Sequence, residues 1–181
     1  MKGKLFSRKG AKAQSFIVAI LLLITSCSNS NGMLEKGAVL PDYTGITPDG
    51  DTLSLSSFTK EEKILFVNFW AAWCGDCLKH NPEIVEMHKL YEGKVFGGHT
   101  LEMLSISLDK DTLLWKRRIA QQNLNHINQI TDMRGWESKQ LKLFSVHFIP
   151  ANYLVDHTGK IIAVDVEGDE LEKILKKYYA K

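Results

Sequence analysis

Apolar residues fall into short runs along this chain, separated by turn-forming clusters, and the period of the runs changes from one to the next. Ile64 to Trp70 is almost continuously apolar, with Asn68 as its one polar interruption. That pattern suits a central strand covered on both faces. After it, Ile84, Met87 and Tyr91 recur at i, i+3 and i+7, which predicts an amphipathic helix, with Pro82 placed to kink it. Further on, the pattern predicts a strand at Leu101–Leu108, a helix at Thr112–Gln122, a short strand at Ile127–Thr131 and a helix at Glu137–Leu143. A strand at Asn152–Asp156, a turn at His157-Thr158-Gly159, a strand at Ile161–Val166 and a closing helix at Glu170–Tyr179 complete the series. Ahead of all these, Thr47-Pro48-Asp49-Gly50 followed by Thr52–Leu55 reads as a β-hairpin. Strands alternating with helices predict an α/β sandwich, and the final hairpin makes its sheet mixed.

The first stretch follows a different logic. Lys2, Lys4, Arg8, Lys9 and Lys12 precede an unbroken apolar run from Phe16 to Ile24. This run is far shorter than the ~20 residues a membrane span needs, so residues 1–26 read as a signal peptide. Ile24-Thr25-Ser26-Cys27 resembles a bacterial lipobox, in which the cysteine becomes an acylated N-terminus; ordinary cleavage would instead leave Cys27 as a free thiol. The polar stretch Ser28-Asn29-Ser30-Asn31-Gly32 reads as a flexible tether within residues 27–38, ahead of one domain at 39–181.

Removing this signal takes away five of the 23 basic residues and none of the 21 acidic ones, leaving a net charge of −3. No basic block remains to bind nucleic acid.

Chemistry concentrates at Trp73-Cys74-Gly75-Asp76-Cys77, directly after the central apolar strand. Two residues between cysteines allow both sulfurs on one helical turn, and the positive end of the helix favours a thiolate on the first. Cys74 is thus the candidate nucleophile and Cys77 the resolving thiol. A C-x-x-C pair also occurs in haem attachment and zinc sites. Haem attachment needs His after the second cysteine, and Leu78 is there; a zinc site needs four ligands, and the other cysteine is Cys27. A Cu(I) or Zn(II) module using His80 or His147 is the alternative of a different class.

The run Phe66-Val67-Asn68-Phe69-Trp70-Ala71-Ala72-Trp73-Cys74-Gly75-Asp76-Cys77 is followed by Pro82. Further along, Ile149-Pro150 precedes Leu154-Val155-Asp156-His157-Thr158-Gly159-Lys160. Together these segments resemble the thioredoxin superfamily, and more narrowly its TlpA/ResA-like, membrane-tethered thiol–disulfide oxidoreductases. The resemblance implies a three-layer α/β/α sandwich with an N-terminal β-hairpin. It also implies a periplasmic, lipid-anchored enzyme without cofactor or metal, acting on disulfides of exported proteins and re-reduced by a membrane electron donor. Pro150 would be a cis-proline facing the cysteines, Ile149 would offer backbone groups to substrate, and Trp73 would shield the disulfide.

Two positions depart from the pattern. Asn68 stands where thioredoxins carry a buried Asp, so another group must take the resolving thiol's proton. Asp76 stands where thioredoxin has Pro; its charge opposes the helix N-terminus, and Lys79 and His80 are spaced to neutralise it. Gly75 completes the tuning positions between the cysteines. A peroxiredoxin-branch reading shares the hairpin but needs a Thr at the position of Ala71.

Overall fold

The computed structural model describes residues 32–166 and 168–180. Cys27 and the predicted signal lie outside the described residues. The packed part reaches back further than the sequence pattern suggested. Met33 is buried in the core and the Leu34 amide donates to the Tyr153 hydroxyl at 3.0 Å, so the domain begins before Val39.

Strands β1 (Thr44–Ile46) and β2 (Thr52–Ser54) form the predicted antiparallel pair. Its turn closes through Gly50, whose φ of +95° suits glycine and whose amide donates to the Thr47 carbonyl. The second strand is shorter than predicted, because Leu55 opens a helix, α1 (Leu55–Lys60). Ser54 caps it: its hydroxyl accepts from the Ser56 amide, which also donates to Asp42. Only Leu55 and Phe58 are buried on this six-residue helix, too little periodicity to announce it.

The main sheet has six strands. Its centre, β3 (Ile64–Trp70), is buried at all seven positions, as expected of a strand covered on both faces. Helix α2 (Gly75–Tyr91) leads to a short β4 (Val95–Phe96), which was not foreseen, and to β5 (His99–Ser107). Helix α3 (Thr112–Gln121), β6 (Asn128–Ile130), β7 (Ala151–Val155), β8 (Ile161–Val164) and α4 (Gly168–Tyr179) follow. β3 pairs parallel with β5 and antiparallel with β7; β6 lies parallel to β5, and β8 antiparallel to β7. The mixed sheet, its helices and the N-terminal strand pair are the thioredoxin-like α/β arrangement expected above.

The helix predicted at Glu137–Leu143 does not form. Two 3₁₀ turns replace it, Gly135–Glu137 and Leu141–Phe144. Ser138 separates them in extended conformation; its hydroxyl donates to Asp132 and accepts from the Leu141 amide, so the side chain competes with a continuous helix. The second turn delivers Phe144 to an edge-to-face cluster with Phe69 and Tyr43, while Phe69 also meets Tyr153. Helix α2 runs through Pro82 and packs against α4, which buries Leu171 and Leu175. No helix among the described residues is long and apolar enough to cross a membrane.

Candidate active site

The redox loop is built by the end of β3 and the start of α2. Ala71 and Ala72 are buried, Trp73 turns outward, and Cys74 takes the N-cap position with extended backbone. The Cys74 amide donates to the Ala71 carbonyl at 3.1 Å, closing the turn. Cys74 and Cys77 are disulfide-bonded, with Cα atoms 5.2 Å apart. The Cys77 amide donates to Cys74 Sγ at 3.1 Å, so the sulfur does the work of a capping oxygen and receives the positive end of the helix.

Burial divides the two sulfurs. Cys77 begins the inner stripe of α2, continued by Asn81, Ile84, Met87 and Tyr91, and is fully buried. Cys74 lies at the surface end with 8% exposure, beside an exposed Trp73. A partner disulfide can therefore reach Cys74 but not Cys77.

Across from the sulfurs, the Ile149–Pro150 peptide is cis, and the Ile149 carbonyl oxygen is 3.8 Å from Cys74 Sγ. The structure thus brings Cys74, Cys77, Trp73, Gly75 and Ile149–Pro150 to one place. Adding a Cβ at Gly75 would meet nothing nearby, so no steric demand for glycine arises there.

Asp76 is exposed and pairs with Lys79 at 2.8 Å; the ammonium holds its carboxyl below the usual range. His80 does not join them, contrary to the spacing argument. Its Nδ1 lies 3.2 Å from Glu83 one turn further on, where the side chain turns toward α4; Glu83 also accepts from the Gly168 amide at 2.7 Å. His147 is exposed beside Gly32. Among the described residues, no group of three His, Cys, Asp or Glu side chains is arranged to hold a metal ion.

Asn68 is buried in mid-strand, in register with Ser105 and Asn152, and its Oδ1 has no hydrogen-bond partner. A buried carboxylate reaches the redox loop from the turn just after the neighbouring strand β5 instead. Asp109 is fully buried, and its Oδ2 accepts from the Ala72 amide at 2.9 Å and the Ser107 hydroxyl at 2.7 Å. Burial pushes its carboxyl up, and these two hydrogen bonds pull it part of the way back. Sequence reasoning missed Asp109, because an acid after an apolar strand looks like any turn residue.

A family model described as AhpC/TSA matches residues 37–164. The chain belongs to the AhpC/TSA family. Within that family its likeness is to redox proteins of the thioredoxin type. The thiol–disulfide oxidoreductase ResA of Bacillus thuringiensis subsp. konkukian is 26% identical over 148 residues, covering 82% of this chain and 79% of the relative. Among solved structures, the C-terminal domain of a protein from Bacteroides thetaiotaomicron, described as a thiol–disulfide oxidoreductase, is 33% identical with a TM-score of 0.70. That match covers 81% of this chain and 97% of the domain. A thiol–disulfide oxidoreductase from Bacteroides fragilis is 31% identical with a TM-score of 0.69, covering 78% and 99%. This AhpC/TSA member is an enzyme of thiol–disulfide exchange with a Cys74–Cys77 pair.

Proposed function

We propose that the chain is a membrane-tethered periplasmic thiol–disulfide oxidoreductase that reduces disulfides of exported proteins through Cys74 and Cys77. The observation that carries this reading is the asymmetric pair at the head of α2: an accessible Cys74 sulfur that accepts a helix-terminal amide, and a buried Cys77. In the reduced enzyme the Cys74 thiolate attacks one sulfur of a partner disulfide. A mixed disulfide forms and the partner's other sulfur leaves as a thiolate. Cys77, losing its proton, then attacks Cys74 Sγ; the second partner thiolate leaves and the Cys74–Cys77 disulfide closes. Two electrons pass to the partner, and a membrane electron donor restores the dithiol.

Trp73 stands exposed beside Cys74, Ile149 offers its backbone to the partner chain, and Pro150 shapes that edge. Asn68 cannot ionise, so it takes no proton from Cys77. Asp109 positions the loop through the Ala72 amide.

Lipidation at Cys27 supplies the anchor. From Cys27 to the buried Met33 the chain spans at most about 20 Å, so the redox domain stays against the bilayer, within reach of a donor embedded in it.

Cells expressing Cys77→Ser should accumulate mixed disulfides between Cys74 and exported cysteine proteins, which the double variant Cys74→Ser/Cys77→Ser does not form. Adducts with no exported protein, or equal adducts in both, contradict the reading. Cys27→Ala should leave the membrane fraction or keep its signal uncleaved; a processed, still membrane-bound variant contradicts the anchor.

A further inference from the structure

Two tryptophans stand unusually open beside the redox loop. Trp73 is 51% exposed and Trp136 41%, although large aromatic side chains are highly buried on average. Both line one groove of about 430 Å³, within the ~300–1,000 Å³ of typical ligand sites. Leu108 and Leu114 line it too, and the Lys110–Glu137 ion pair, 2.8 Å long, edges it.

Trp136 is held there by the backbone. Gly135 has a φ of +53°, and a Cβ at that position would lie 3.0 Å from the Leu108 carbonyl oxygen. Glycine takes this left-handed conformation without strain and leaves room for the 3₁₀ turn beside the end of β5, which sets Trp136 on the groove.

We propose that this groove is a subsite for one large apolar side chain of the polypeptide whose disulfide is exchanged, located a few residues from that polypeptide's cysteine; the inference rests on the redox reading above. The reaction itself supplies the occupant. Exchange bonds the partner's cysteine to Cys74 Sγ, so the partner chain must leave across the surface around it. On one side stands Ile149, on the other Trp73, where the groove begins.

Charge selects the occupant's chemistry. Lys110 and Glu137 pair with each other, the Asp111 carboxylate accepts from the Leu113 and Leu114 amides, and the buried Asp109 accepts through Oδ2 from the Ala72 amide and the Ser107 hydroxyl while its Oδ1 is without a hydrogen-bond partner. An anionic side chain entering the groove would meet the Asp109 and Asp111 carboxylates, and a charged side chain of either sign would lose part of its hydration there. An aromatic or branched aliphatic side chain loses only apolar surface and gains contact with two indoles.

The test compares three disulfides reduced by the full chain: oxidised glutathione and two disulfide-linked peptides differing only in Trp or Ser near the cysteine. Wild type should reduce the Trp peptide fastest. Trp136→Ala should lower kcat/KM for that peptide roughly tenfold, equivalent to about 1.4 kcal/mol, and leave the other two rates and the Cys74–Cys77 potential unchanged. Trp136→Phe should recover most of the loss. Equal wild-type rates for the two peptides, or an equal loss on all three disulfides in Trp136→Ala, overturns the subsite. Should wild type fail to reduce even oxidised glutathione, the redox reading falls and takes the subsite with it.

Discussion

β3 and β5 run parallel side by side, and each hands the chain to a helix, yet the two junctions begin their helices with different chemistry. At the second, the Asp111 carboxylate accepts from the amides of Leu113 and Leu114 at 2.8 and 3.0 Å. At the first, Cys74 offers a sulfur to a single amide at 3.1 Å. Asp is among the strongest capping residues, worth ~0.5–2 kcal/mol over Ala, and cysteine is not. Helix α2 therefore begins with a weak cap and gains its stability elsewhere, from the stripe it buries over 17 residues. The difference separates a junction built for stability from one built for reactivity, where the helix's positive end is left for a sulfur that must leave and return. Asp109 ties the two together, reaching from the β5 junction to the Ala72 amide in the β3 junction.

The sharpest way to break the comparison is Cys74→Ser. Serine caps better than cysteine, so α2 should persist and the Tm should match or exceed that of the reduced wild type, while turnover of oxidised glutathione falls to the uncatalysed background. Residual turnover would show that the reactive sulfur is not at this cap.

Next in size is Asp109→Ala, which removes the acceptor for a buried amide and a buried hydroxyl and should cost about 1–3 kcal/mol in urea unfolding. Its pH dependence has a definite sign. Burial raises the folded carboxyl above its unfolded value, so the folded chain holds that proton more tightly. Its contribution to stability is greatest at low pH, declines as pH rises from the ordinary carboxylate range through the raised value, and then levels off. Urea midpoints across that window should show the decline in wild type and a smaller one in Asp109→Asn.

Asp111→Ala, at the stability-built junction, should lose ~0.5–2 kcal/mol with unchanged glutathione turnover. A matching loss of turnover would blur the distinction between the junctions. Smallest is Asp76→Asn: with its charge exposed and already paired to Lys79, the alkylation rate of Cys74 at fixed pH should change by less than about twofold. A larger change would mean that Asp76 acts on the sulfur directly.

Local patterns carried much of this into the sequence. Seven successive buried positions read as a central strand, and the C-x-x-C spacing after it marked a helix start, because both depend on neighbours within a few residues. What stayed hidden depends on distance along the chain. The bond from Asp109 to Ala72 spans 37 residues, and no local period signals it. Trp136 reaches the groove through a glycine packed against Leu108 and a serine that stops a helix; the apolar spacing at 137–143 suggested a helix because side-chain competition from Ser138 leaves no mark in hydrophobicity. Helix α1 was too short to show a period, and β4 pairs with β5 over only two residues.

The central claim is that Cys74, capping α2 at the surface, attacks first and that the buried Cys77 resolves. Mass spectrometry of the reduced Cys77→Ser and Cys74→Ser variants after incubation with oxidised glutathione tests it most directly. Cys77→Ser should accumulate one stable glutathione adduct on Cys74, while Cys74→Ser gains none on Cys77. An adduct on Cys77 in Cys74→Ser with none on Cys74 in Cys77→Ser would contradict the account.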